Sequence, residues 1–386
     1  MYEAILQSQF LNEGVMPVLK GDAYSHLSQG IHLRNERAFL QLKGEGTLKV
    51  LAWVSVAFLL LVSPLWAEEN PTLAGGWQAP TTPAQLERAC DAGEFGHCNA
   101  LAWKYLQGEG VEKNGARAAE LYEQACDGGT AEGCTKLGTM YATGRGVLKD
   151  EPRAVALLEQ GCAGGDAEGC ANLGTIYANG SGVTRDEQMA ATLLEQSCEG
   201  EYALACTNLG SIYMAGRGVP KDEPKAAALY EQGCAGGDAI GCTNLGSMYM
   251  AGKGIPKDES RAAVFYEKGC VNGDAKGCTF IGNMYASGRG VPRDEQKAIA
   301  FLEQGCVGGF AMACTNLGAM HANGNGVPKD EPTAATFFER GCEGGHAVGC
   351  TYLATMYENG RGVLRDGSKA AEYFRRACEL GRESAC

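Results

Sequence analysis

No Cys-x₂₋₄-Cys knuckle, no His-Glu-x-x-His and no EF-hand loop occurs in the 386 residues. Their absence removes the usual frameworks for structural zinc, a zinc hydrolase and bound calcium. Ser-x-x-Lys and Lys-Thr-Gly are missing too, and a serine β-lactamase would carry both. There is no basic excess: 33 Lys and Arg against 46 Asp and Glu give a formal charge of −13. A nucleic-acid surface needs clustered Lys and Arg to displace phosphate counterions, so that partner is excluded. Glycine reaches 56 without a Gly-X-Y period, which excludes a collagen-like chain. What is present in unusual number is cysteine, at 18. A reducing cytosol would hold so many only as metal ligands or redox centres.

The cysteines fall in nine pairs: Cys90 with Cys98, Cys126 with Cys134, Cys162 with Cys170, Cys198 with Cys206, Cys234 with Cys242, Cys270 with Cys278, Cys306 with Cys314, Cys342 with Cys350 and Cys378 with Cys386. Members of a pair are 8 residues apart and successive pairs 36 apart, without deviation. A fixed period of this size marks a solenoid or array. Within one unit, Cys242, Leu245 and Tyr249 share one face of a helix. Gly252 and Gly254 then stop that helix. Asp258 supplies an N-cap for a second helix running through Ala262, Ala263, Phe265 and Tyr266 to Cys270. The unit is helix, seven-residue loop, helix, repeated eight times between Cys98 and Cys378, with half units at both ends.

These features resemble the Sel1-like repeat family. Its signature appears as Leu209, Gly210, Tyr213, Gly216, Gly218, Val219, Asp222, Lys225 and Ala226. The related tetratricopeptide repeat has a period of 34 and lacks the glycine loop. The resemblance covers roughly residues 82 to 386. Ala102 and Ala354 replace the motif glycine, His321 replaces the tyrosine, and Asn114 stands where other copies have Asp. Two cysteines per repeat are similar to the Helicobacter cysteine-rich branch. The resemblance implies an all-α, right-handed α/α solenoid with one disulfide per repeat, secretion, and adaptor-like binding of peptides or proteins. Members of that branch are also described as penicillin-binding proteins with weak β-lactamase activity, an activity that the sequence assigns to no particular residue here.

Cys162 is expected in the last turn of one helix and Cys170 in the first turn of the next. A short antiparallel connection brings such residues within the 4.4–6.8 Å that a disulfide requires. This reading pairs each cysteine with its partner eight residues away. Pairing across 28 residues inside one hairpin, and coordination of zinc, remain as alternatives at this point.

Lys49, the apolar run Val50–Val62 and Ser63 to Ala67 have the layout of a signal peptide, ahead of Glu68 and Glu69. Residues 1–47 then read as an extension before the true start at Leu48, and 48–67 as the signal or, if retained, a short membrane anchor. Residues 68–83 read as a linker and 84–386 as the solenoid. The expected location is secreted or periplasmic, where disulfides persist.

His97 and His346 fall in turns between repeats, and His321 ends a first helix, so none belongs to a recognisable catalytic set. The Gly-x-Gly loops follow helices, not strands, and are turns rather than phosphate cradles. Two positions after the second cysteine stand Asn172, Asn208, Asn244 and Asn316, with Lys136, Phe280 and Tyr352 in the same register. If first helices line the concave side, a carboxamide ladder there suits an extended peptide, each amide donating and accepting. The plainer reading is that the Asn side chains cap or solvate their helices. Met140, Ile176, Ile212, Met248, Met284, Met320 and Met356 lie four residues on and read as core. The expectation is a monomeric scaffold with no cofactor that binds a peptide or protein on its concave face. A hydrolase acting on β-lactams or cell-wall peptides is the alternative.

Overall fold

The computed structural model describes residues 80–386. The extension, the signal or anchor and most of the linker lie outside the described residues. Seventeen α-helices and one short 3₁₀ turn, Glu383–Ala385, make up the described chain, which contains no strand. An opening helix α1 (Pro83–Asp91) starts inside the segment read as linker, capped by Thr82. Then come the hairpins α2 (Phe95–Gln107)/α3 (Gly115–Asp127), α4 (Ala131–Thr143)/α5 (Glu151–Ala163), α6 (Ala167–Asn179)/α7 (Glu187–Glu199) and α8 (Ala203–Ala215)/α9 (Glu223–Ala235). They continue as α10 (Ala239–Ala251)/α11 (Glu259–Val271), α12 (Ala275–Ser287)/α13 (Glu295–Val307), α14 (Ala311–Asn323)/α15 (Glu331–Glu343) and α16 (Ala347–Asn359)/α17 (Gly367–Glu379).

Local chemistry explains the regularity. First helix α10 ends on Gly252, whose left-handed φ of 67° lets its amide return to the Met248 carbonyl. The Asp258 backbone amide reaches the Tyr249 carbonyl at 3.0 Å. Its side chain then accepts from the Arg261 amide at 3.0 Å and starts α11. The second loop glycine has a packing role as well: a Cβ on Gly254 would lie 2.5 Å from the Glu223 carbonyl carbon. Each loop therefore sits against the start of the second helix one repeat earlier.

The core is equally periodic. Leu101, Leu137, Leu209, Leu245, Ile281, Leu317 and Leu353 are fully buried, each worth about 1.5–3 kcal/mol by transfer alone. The motif glycine beside them lets the two helices of a repeat close up. At Gly246 a Cβ would come within 2.8 Å of the Tyr266 ring.

Nine disulfides staple the array, one per repeat, and no free cysteine occurs among the described residues. Cys90 is bonded to Cys98, Cys126 to Cys134, Cys162 to Cys170, Cys198 to Cys206 and Cys234 to Cys242. Further along, Cys270 is bonded to Cys278, Cys306 to Cys314, Cys342 to Cys350 and Cys378 to Cys386. Cα separations run from 4.4 Å at the bridge of Cys270 and Cys278 to 5.0 Å at that of Cys378 and Cys386. Among the described residues neither the 28-residue pairing nor a zinc site is found, because the turn between repeats holds the paired cysteines side by side. Cys134, Cys314 and Cys350 are each a first-helix partner, tied to the second helix of the hairpin before, and all three are buried. Each bridge makes this same link except the last, which holds the chain end to α17.

Candidate functional site: the first-helix face

Each first helix packs against its own second helix and against the one before it, and adjacent first helices also approach one another more closely than adjacent second helices do. The first-helix face is therefore the crowded side of the array. Three cavities open between repeats on it, of about 400, 240 and 190 Å³. They occupy one register. Each has an aromatic floor from a second helix: Tyr122, Tyr266 or Phe338. Each also has an arginine from the loop: Arg145, Arg289 or Arg361. The wall residue two positions after the second cysteine is Lys136, Phe280 or Tyr352, three of the four places, with Ala100, where that register departs from asparagine.

The floors are chemically quiet. Burial pushes the Tyr122 phenol up to about 12 and raises that of Tyr266. Both stay neutral at physiological pH and present ring and hydroxyl rather than charge. Phe280 meets Tyr266 edge-on at 5.0 Å between centroids, and Tyr352 lies 4.9 Å from Phe338. Arg289 is drawn to Glu259 at 2.8 Å and Arg361 to Glu331 at 2.8 Å. Arg145 has no ion-pair partner among the described residues, while Lys136 pairs with Glu168 at 2.6 Å.

The asparagines divide. All four are half-buried on the first-helix face. The Asn172 amide donates to Thr139 Oγ1 at 3.2 Å, and the Asn316 amide to Asn283 Oδ1 at 2.7 Å, each in the preceding repeat. Asn208 and Asn244 make no side-chain hydrogen bond among the described residues, so both ends of their amides are open. The methionine register is core: Met140, Ile212, Met248, Met284, Met320 and Met356 are buried, and Ile176 is half-buried.

The model of the Sel1 repeat matches residues 98–130, 131–166, 167–202, 203–238, 239–274, 275–308, 311–346 and 347–381. The chain belongs to the Sel1 repeat family. Among solved Sel1-type structures it is similar to the protective antigen c5321 of uropathogenic Escherichia coli, described as displaying an SLR fold. That match has 26% identity and a TM-score of 0.68, covering 79% of this chain and 66% of that one. A Sel1 repeat protein from Oxalobacter formigenes matches at 23% identity and TM-score 0.58, covering 80% of this chain and 92% of that one. Helicobacter pylori cysteine rich protein B matches at 30% identity over 34% of this chain and 93% of its own, with a TM-score of 0.29. A search of curated proteins gives no match. Nine disulfides in a Sel1 array belong to an oxidising compartment.

The histidines take structural places in the Sel1 scaffold. His321 stacks on Phe337 at 5.4 Å. His346 Nδ1 lies 2.8 Å from Thr315 Oγ1, where an earlier copy uses Asp238 against Thr207 at 2.6 Å. Burial, and then the charge of Arg382, lower the His346 pKa and so favour the neutral ring. His97 Nδ1 lies 3.1 Å from Glu94. No helix among the described residues is long and apolar enough to cross a membrane.

Sequence reasoning missed the floors and the arginines. Their signal was present, since Arg145, Arg289 and Arg361 share one loop position, but only the fold shows that this position overhangs the Lys136, Phe280 and Tyr352 register.

Proposed function

We propose that this Sel1 array is an exported scaffold, secreted or periplasmic, that acts as a monomer and binds an extended peptide or protein segment along its first-helix face, the concave side of the solenoid. The observation that carries the reading is the coincidence of three cavities with Lys136, Phe280 and Tyr352, the large side chains in a register held elsewhere by asparagine or, at Ala100, alanine. The cavities accept side chains. Between the first two, Asn208 and Asn244 offer open carboxamides to a ligand's backbone, while Asn172 and Asn316 keep one donor each for the scaffold. Export is supported by the disulfides and by the signal-like segment of the sequence.

The test is selection of binders from a display library of random peptides, followed by Asn208→Ala combined with Asn244→Ala. The double variant should keep its melting temperature and bind the selected peptides about tenfold more weakly, the loss of one or two net hydrogen bonds. Unchanged affinity in that variant, and in Phe280→Ala, would remove the first-helix face from the account.

A further inference from the structure

One repeat boundary breaks the pattern in several ways at once. At the turn joining α7 to α8, Glu201 holds a left-handed φ of 63° and is the only described non-glycine residue with positive φ. The other eight turns of this kind use glycine there, among them Gly165 and Gly237. Cys198 is half-buried, whereas every other bridged cysteine before the terminal pair of Cys378 and Cys386 is buried. Beside this turn, on the second-helix side, lies a cavity of about 670 Å³, well within the size range of ligand sites. Its floor is apolar: Leu209, Leu229, Ala203, Ala235 and the bridge of Cys198 and Cys206. Its rim carries Glu195, Glu199 and Glu201.

The one cation in the lining, Lys225, is already committed. It reaches Glu195 at 3.0 Å and Tyr213 Oη at 2.7 Å, and lies over the Tyr213 ring. Glu199 and Glu201 have no ion-pair partner among the described residues. An apolar floor below two uncompensated carboxylates suits a ligand with a hydrophobic body and flanking positive charge. We propose that this cavity is a second binding site, separate from the first-helix face, for a basic peptide segment. An apolar side chain enters against Leu209 and Leu229, and neighbouring lysine or arginine heads meet Glu199 and Glu201. Glutamate at the left-handed position accepts backbone strain that glycine would avoid, and adds a charge to the rim.

The probe is the end-blocked tripeptide Lys-Trp-Lys, followed by tryptophan fluorescence in low salt against the intact protein. Saturable binding with Kd below about 1 mM is expected, with the Gln-Trp-Gln analogue about tenfold weaker. Glu201→Gly restores the glycine of the other turns, so its melting temperature should rise while affinity for Lys-Trp-Lys falls about threefold or more. Glu199→Gln should also weaken binding by about threefold, without the gain in stability. Equal affinity for the neutral analogue would overturn the proposal. So would full affinity in both glutamate variants, spermidine binding as tightly as the tripeptide, or no saturation up to about 5 mM.

Discussion

Thr207 and Gly233 show how single positions are matched across the array. A Cβ on Gly233 would lie 2.3 Å from Thr207 Oγ1, so the second helix can close only because that position is bare. The same pair recurs as Thr135 with Gly161, Thr243 with Gly269, Thr279 with Gly305 and Thr315 with Gly341. One repeat reverses it: Ser197 replaces the glycine, Ala171 replaces the threonine, and the Ser197 hydroxyl donates to the Ala167 carbonyl at 2.6 Å. The two residues are 26 apart, and nothing in the sequence read alone says that they touch. Gly233→Ala should therefore cost about 1–3 kcal/mol by overpacking. Adding Thr207→Ala should return most of it. Urea unfolding of the two single variants and the double closes the cycle, and simple additivity would show that the pair does not interact.

At the scale of the element, the loop between helices gathers charge around the start of six second helices, those that begin with Glu151, Glu187, Glu223, Glu259, Glu295 and Glu331. Glu259, the first residue of α11, takes Lys257 from its own loop at 3.0 Å and Arg289 from the next loop at 2.8 Å. Arg289 and then Lys257 hold its carboxyl down, to about 2 from an ordinary 4.5. Lys329 and Arg361 lower Glu331 in the same way. A carboxylate depressed in the folded state stabilises it above the unfolded pKa, and that share is lost as pH falls through the folded value. Glu259 should thus titrate near 2 by carboxyl NMR, and Arg289→Gln should bring its midpoint back toward 4.5. Added salt should act in the same direction, because the group is exposed. A Glu259 midpoint already near 4.5 in the parent protein would show that the two cations do not bind it. Much at this scale was legible in advance, because caps and stops are local: Asp258, Gly252 and Gly254 sit where their chemistry requires. The charge cluster was not, since Arg289 comes from the following repeat.

For the whole molecule, the period of 36 was readable because each unit repeats the same short-range problem and the cysteines mark its edges. The three first-helix cavities were not readable. Their floors come from Tyr122, Tyr266 and Phe338 on second helices, 14 residues before Lys136, Phe280 and Tyr352. A solenoid's stability is a sum of unit and nearest-neighbour contributions, with no long-range contact to spread a local loss. The disulfides act at the neighbour interfaces, so each should govern one junction. Replacing Cys234 and Cys242 together by alanine opens a loop of about eight residues, which in the chain-entropy account costs about 2–3 kcal/mol. Hydrogen exchange should then accelerate in α9 and α10 and fade with distance, leaving α2 and α16 at parental rates. A uniform rise across the array would mean that the bridges stabilise it globally. The protein would then unfold as one unit rather than as coupled hairpins, each fastened to the next.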